Sequence, residues 1–146
     1  METSDLIFTI SGTLAVLLCA FGALKQNRNN FLLGIVLFSL LPIIGEYMAY
    51  SATNNWGNLI TMITFVGIAI VALPNKASYG ADNLAATAIA RKIGLMILVI
   101  NLFQAYIILQ VREDVAAHYG YMHVAIALVM IYVIIRSKTS SDFSWK

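Results

Sequence analysis

Long apolar runs, separated by short polar stretches, make up most of this chain of 146 residues. A helix that crosses the hydrocarbon core of a membrane needs about 20 mostly apolar residues, with a range of about 17–25. Several runs meet this requirement, and each gap between them contains turn formers or charges. The predicted spans cover approximately residues 6–24, 31–50, 56–73, 93–111 and 118–135, the fourth with a helical extension from about residue 83.

The pattern therefore predicts an all-α integral membrane protein with five transmembrane helices in a single bundle. We expect residues 1–146 to form one transmembrane domain, because this length leaves no room for a separate soluble domain. The composition favours the same class, with 60% hydrophobic residues, 11% charged residues and a mean hydropathy of +0.83. In soluble domains about a quarter of the residues are charged, so the charged fraction of this chain is clearly lower.

The positions of the basic residues predict the orientation in the membrane. With five spans, eight of the nine lysines and arginines fall on one side, and only Arg112 falls on the other. Basic loops resist translocation and stay in the cytoplasm. We therefore expect the N-terminus outside and the C-terminus in the cytoplasm, in a prokaryotic cell (inner) membrane. A four-span topology would break this segregation.

Polar residues within the spans concentrate in the half nearer the outside. At a rise of 1.5 Å per residue through a core of about 30 Å, Glu46 and His123 both lie about 8 Å below the outer boundary and could meet. The predicted intramembrane polar site consists of Glu46, His123, Gln104, Asn101, Thr61 and Thr64.

Small and polar residues also repeat every three or four positions, which places them on one face of each predicted helix. We expect these faces to point inward. On the first, third and fifth spans they comprise Ser11, Ala15, Cys19 and Ala23; Gly57, Thr61 and Thr64; and Gly120, His123 and Ala127.

Two interpretations of Glu46 remain open. Intramembrane acids are costly and often functional, which favours a proton, cation or polar-ligand site that opens outward. Alternatively, a neutral or histidine-paired Glu46 holds two helices together, and its shallow depth favours this structural role. Asn101 and Gln104 are more typical of contacts between helices than of a pore lining. Pro42 predicts a kink in the second helix, because proline cannot donate the helical hydrogen bond.

Two further groups of residues suggest ligands near the membrane surfaces. Asp114, His118 and Met122 share a helical face and could hold copper or zinc at the outer surface, although a solvated cap on the last span is the simpler interpretation. No other cofactor is predicted, since both histidines lie on one helix and cannot face each other across a haem. Arg91 and Lys92 could bind anionic lipid headgroups.

Three functional hypotheses follow. The favoured one is a non-catalytic accessory or structural subunit of a larger membrane complex, because the loops are short and no complete catalytic constellation occurs. The second is an oligomeric channel or transporter for protons, ions or a small solute, with an outward-facing polar site at Glu46 and His123. A metal-dependent membrane enzyme component is the least favoured. Expected partners are the lipid bilayer and either other membrane subunits or further copies of this chain. The net charge of +2, without a basic patch interleaved with aromatic residues, argues against nucleic acid.

Overall fold

The computed structural model describes residues 3–74, 84–113, 115–139 and 145. Every regular element among these residues is an α-helix, which confirms the all-α prediction for this part of the chain. The helices overlap the predicted apolar runs, and α4 includes the expected extension. They are α1 (Thr3–Leu24), α2 (Arg28–Thr53), α3 (Trp56–Ala72), α4 (Leu84–Gln110) and α5 (Ala117–Thr139).

Four of these helices, α1, α2, α4 and α5, are long enough and apolar enough to cross a membrane. The shorter helix α3 is equally apolar but has 17 residues. At 1.5 Å per residue α3 is about 26 Å long, slightly less than a hydrocarbon core of about 30 Å. The number of helices matches the predicted number of spans, whereas a crossing by α3 stays a prediction.

Asparagines shape the two tight turns that follow α1 and α2. After α1, Gln26 has a φ of 55°, and the N–H of Asn27 donates to the carbonyl of Gly22 at 2.8 Å. This is the Schellman arrangement, which satisfies carbonyls at the end of a helix. Asn27 then caps α2 through its side chain, which accepts from the backbone N–H of Asn30 at 3.0 Å. In the second turn, Asn54 is the residue with positive φ, at 52°, and its N–H donates to the carbonyl of Tyr50. Asn55 then caps α3 through its side chain.

The helices form two compact units. Unit 1 ends at Pro74 and contains α1, α2 and α3, and unit 2 begins after it and contains α4 and α5. In unit 1, α2 packs against both α1 and α3, and in unit 2, α4 packs against α5. The single five-helix bundle stays a prediction.

Unit 1 depends on very close packing between α1 and α2. A Cβ added to Gly34 would overlap the backbone nitrogen of Cys19 and lie 2.6 Å from its Cα. Gly22 approaches the backbone of Phe31 in the same way. Three of the four residues of the predicted inward face of α1, Ala15, Cys19 and Ala23, are buried, and Ser11 is half-buried. Small residues permit this approach, which increases van der Waals contact between helices.

The predicted inward face of α3 is wrong in part. Gly57 is exposed and Thr61 and Thr64 are half-buried, whereas Phe65 and Ile68 are buried. The threonine hydroxyls donate to carbonyls of their own helix, so they need no partner on another helix. The larger apolar side chains therefore fill the buried face.

Candidate functional site

The clearest buried polar contact in the described part of the chain joins the two helices of unit 2. Nδ1 of His123 on α5 lies 2.8 Å from Oδ1 of Asn101 on α4. Asn101 is 2% exposed and His123 is 5% exposed, so both side chains are shielded from their surroundings. Gly120 and Ala127 are buried on the same face of α5, which confirms its predicted inward orientation.

The hydrogen bonds of Asn101 determine which ring nitrogen of His123 carries a proton. The Asn101 amide nitrogen donates to the carbonyl of Ile97 at 2.9 Å. Its amide oxygen must therefore be the acceptor that faces His123, and Nδ1 of the ring must be the donor. Both polar ends of the Asn101 amide are used inside the hairpin, and one of them fixes the orientation of the imidazole.

The predicted polar residues of unit 1 are arranged differently. Thr61 and Thr64 donate to the carbonyls of Gly57 and Ile60 within α3, at 3.0 and 2.9 Å. Glu46 is half-buried on α2, and its Oε2 atom is buried. Glu46 therefore lies on α2, whereas the two threonines lie on α3 and donate their hydroxyl hydrogen bonds within that helix.

Pro42 lies within α2, which continues through it from Arg28 to Thr53. One turn earlier, the buried hydroxyl of Ser39 donates to the carbonyl of Ile35 at 2.8 Å. Such back-bonding by serine often accompanies a bend in a helix. The predicted kink at Pro42 stays a prediction.

The proposed meeting of Glu46 with His123 also stays a prediction. Glu46 belongs to unit 1, whereas His123, Asn101 and Gln104 belong to unit 2. Of the six predicted site residues, the hydrogen bonds bring together Asn101 and His123. Gln104 lies on α4 one turn further along and is half-buried.

The predicted metal set is described in part. Asp114 lies outside the described residues. His118 and Met122 are half-buried near the start of α5, and the ring of His118 lies 4.2 Å from the ring of Tyr119. Within the described ranges, no group of three histidine, cysteine or acidic side chains is positioned to hold a metal ion. The metal site therefore stays a prediction.

Arg91 and Lys92, the predicted lipid-headgroup residues, are exposed and lie about two turns after the start of α4. A guanidinium nitrogen of Arg91 donates to the backbone carbonyl of Ser137 at 3.1 Å, which links the two helices at this end of unit 2. Positive charge at the C-terminal end of a helix is favourable, because the last carbonyls lack partners there.

Sequence reasoning missed that Asn101 is the partner of His123. A usable signal was present, because the short connection between α4 and α5 makes the two helices an antiparallel hairpin. Residues at similar distances on either side of such a turn face each other, and Asn101 and His123 satisfy this condition. The link from Arg91 to Ser137 follows the same rule.

The described part of the chain is all-helical, with four helices suited to a membrane and a buried polar contact within its second unit. Comparisons with protein-family models, curated proteins and solved structures find no match to the chain.

Proposed function

We propose that the protein is a non-catalytic accessory or structural subunit of a larger complex in a membrane. The observation that carries this proposal is the contact between Asn101 and His123. In this contact Nδ1 of the buried His123 forms a hydrogen bond between α5 and α4. Polar contacts of this kind stabilise helix association in lipid.

The outer surface of the helices supports the same proposal. Large apolar side chains are exposed along α1 and α4, including Leu14, Leu17, Val99 and Phe103. Exposed apolar surface is unfavourable in water by about 25 cal/mol per Å², so these faces favour a membrane location. In a bilayer, the same faces are available to lipid and to the helices of neighbouring subunits.

Purification in mild detergent followed by native mass spectrometry tests this function. We expect the protein from its native membrane to appear with other membrane chains in a fixed stoichiometry. An unrelated tagged membrane protein of similar size, purified in parallel, controls for non-specific capture. Recovery of this chain alone, or of a homo-oligomer with no other subunit, would contradict the proposal.

A second candidate function is an oligomeric channel or transporter for protons, ions or a small solute. Glu46 favours it, since this half-buried acid lies within an apolar helix. Acids inside membrane-spanning segments often mark ion or proton pathways. In this alternative, Glu46 and His123 belong to one outward-facing site.

For either function we propose five crossings, with the N-terminus outside and the C-terminus in the cytoplasm. Single cysteines at Asn29 and Ala52 test α2 directly, because both residues are exposed and lie near opposite ends of that helix. Cys19 is fully buried, so the unaltered chain serves as the unlabelled control. An impermeant thiol reagent applied outside intact cells should label Ala52→Cys and leave Asn29→Cys unlabelled.

A third position tests whether α3 crosses the membrane. With five crossings, a cysteine at the exposed Thr139 at the end of α5 faces the cytoplasm. If α3 does not cross, α4 and α5 reverse their direction and Thr139→Cys becomes accessible from outside. Labelling of Thr139→Cys in intact cells, together with labelling of Ala52→Cys, would therefore replace five crossings with four.

A further inference from the structure

One end of unit 2 concentrates positive charge from both of its helices. Arg91 and Lys92 lie about two turns after the start of α4, and Arg136 and Lys138 lie in the last turn of α5. The hydrogen bond from Arg91 to the carbonyl of Ser137 joins this part of α4 to the last turn of α5. The four side chains, which we name the basic cluster, therefore lie at one end of the hairpin.

Among the described residues of unit 2, acidic side chains lie far from the basic cluster. Within the part of unit 2 that the structure describes, the single carboxylate side chain is Glu113, beyond the opposite end of α4. That end lies about 29 Å along the helix from Arg91. The Nε atom of Arg136 is buried and has no hydrogen-bond partner among the described residues. Lys92 and Lys138 are exposed, so their ammonium groups are accessible to an anion, and Arg136 is half-buried beside them.

Apolar surface continues directly from the basic cluster. On α4, Met96 and Val99 are exposed and share the helical face of Lys92. On α5, Ile131 and Ile135 are exposed and share the face of Lys138. Each helix therefore presents a cation, Lys92 at the start of the apolar part of α4 and Lys138 in the last turn of α5, with an apolar stripe leading away from it. A free phosphate would use the cations alone, whereas a phospholipid matches both the cations and the stripes.

We propose that the basic cluster is a binding site for the phosphate headgroup of an anionic phospholipid, whose acyl chains lie along these stripes. Lys92, Arg136 and Lys138 supply the charge, and Arg91 positions the two helix ends through Ser137. This proposal extends the headgroup contact expected for Arg91 and Lys92 to residues of α5. It does not depend on whether the protein is a subunit or a channel.

Native mass spectrometry of the full-length protein in detergent, titrated with phosphatidylglycerol or phosphatidylcholine, tests the proposal. We expect the wild-type protein to bind phosphatidylglycerol more tightly. Each lysine near an anionic headgroup contributes a factor of about five in affinity, so Lys92→Gln combined with Lys138→Gln should weaken phosphatidylglycerol binding about 30-fold. Binding of phosphatidylcholine should change little.

Three controls make the outcome specific. The pair Lys92→Arg and Lys138→Arg keeps both charges and should keep the preference. Arg112→Gln removes a charge from the opposite end of unit 2 and should also keep it. Far-UV circular dichroism verifies folding, and the single variants Lys92→Gln and Lys138→Gln should each lose about five-fold if the double variant fails to fold.

Three results would overturn the proposal. The first is an unchanged preference after both lysines are replaced by glutamine. The second is an equal loss in Arg112→Gln, which indicates general attraction between the protein and anionic lipid. The third is displacement of the lipid by inorganic phosphate at an equal concentration, which indicates a site for a soluble anion.

Discussion

The two units hold their helices together by different means. In unit 1, α1 and α2 approach so closely that Gly34 lies against the backbone of Cys19. In unit 2, α4 and α5 are joined by the buried side chains of Asn101 and His123. Apolar surroundings offer little hydrophobic drive for helix association, which leaves close packing and hydrogen bonds between helices as the main sources of stability. Backbone-to-backbone approach distinguishes unit 1, and a buried hydrogen bond between helices distinguishes unit 2, where Gly120 also packs closely against the side chain of Leu109.

The largest expected effect is on the close packing of unit 1. Gly34→Ala should lower the free energy of unfolding by about 3 kcal/mol, because α1 and α2 must move apart to admit the methyl group. Gly45→Ala is the matched control on the same helix, since an added Cβ there meets nothing within 4 Å. Unfolding of both variants by SDS in mixed micelles, followed by circular dichroism, measures the difference. Equal stability of the two variants would show that the absence of a side chain at Gly34 is not needed for the packing of α1 against α2.

The buried contact of unit 2 should show the next largest effect. Asn101→Leu and His123→Leu should each cost about 1–3 kcal/mol, because each leaves a buried polar partner unsatisfied. Combined, they should cost less than their sum, with a coupling energy of about 0.6–2 kcal/mol. The same unfolding measurements provide this double-mutant cycle.

Gln104 offers a control for that cycle on the same helix. Gln104→Leu should combine additively with His123→Leu, to within about 0.5 kcal/mol, if the coupling belongs to the contact with Asn101. A coupling for Gln104 as large as that for Asn101 would show that His123 interacts with the wider polar surface of α4. The Asn101–His123 hydrogen bond would then not be the specific contact that joins α4 and α5.

The smallest expected effect is at the exposed end of unit 2. Arg91→Gln removes the hydrogen bond to Ser137 but should change the free energy of unfolding by less than about 0.5 kcal/mol, because Arg91 is exposed. Lys92→Gln removes the same charge one residue away and is the control. A cost for Arg91→Gln similar to that of Asn101→Leu would place the main connection of unit 2 at its surface.

The helices could be predicted from sequence, and the contacts that join them could be predicted only in part. Apolar runs of sufficient length give the positions of α1, α2, α4 and α5, because length and hydropathy are local properties. The short helix α3 shows where this reasoning weakens, since 17 residues fall near the lower limit for a span. Small residues also indicated the buried face of α1 around Cys19.

Reasoning from apolar length and membrane depth did not identify the partner of His123. Depth in the membrane grouped His123 with Glu46, but depth says nothing about which helices are neighbours. The hairpin of α4 and α5 places Asn101 opposite His123, and this pairing depends on the turn between the two helices. On α3, helical spacing indicated Thr61 and Thr64, whereas the volume of Phe65 and Ile68 determined the buried face.

We propose that the contact between Asn101 and His123 holds α4 and α5 together and that the protein does not conduct ions. Proton and potassium flux through liposomes containing the purified protein tests it most directly, with Glu46→Gln as the informative variant and Glu113→Gln as the control acid at the end of α4. We expect the wild type and both variants to show only the flux of protein-free liposomes. A protein-dependent flux that Glu46→Gln abolishes and Glu113→Gln preserves would contradict this proposal.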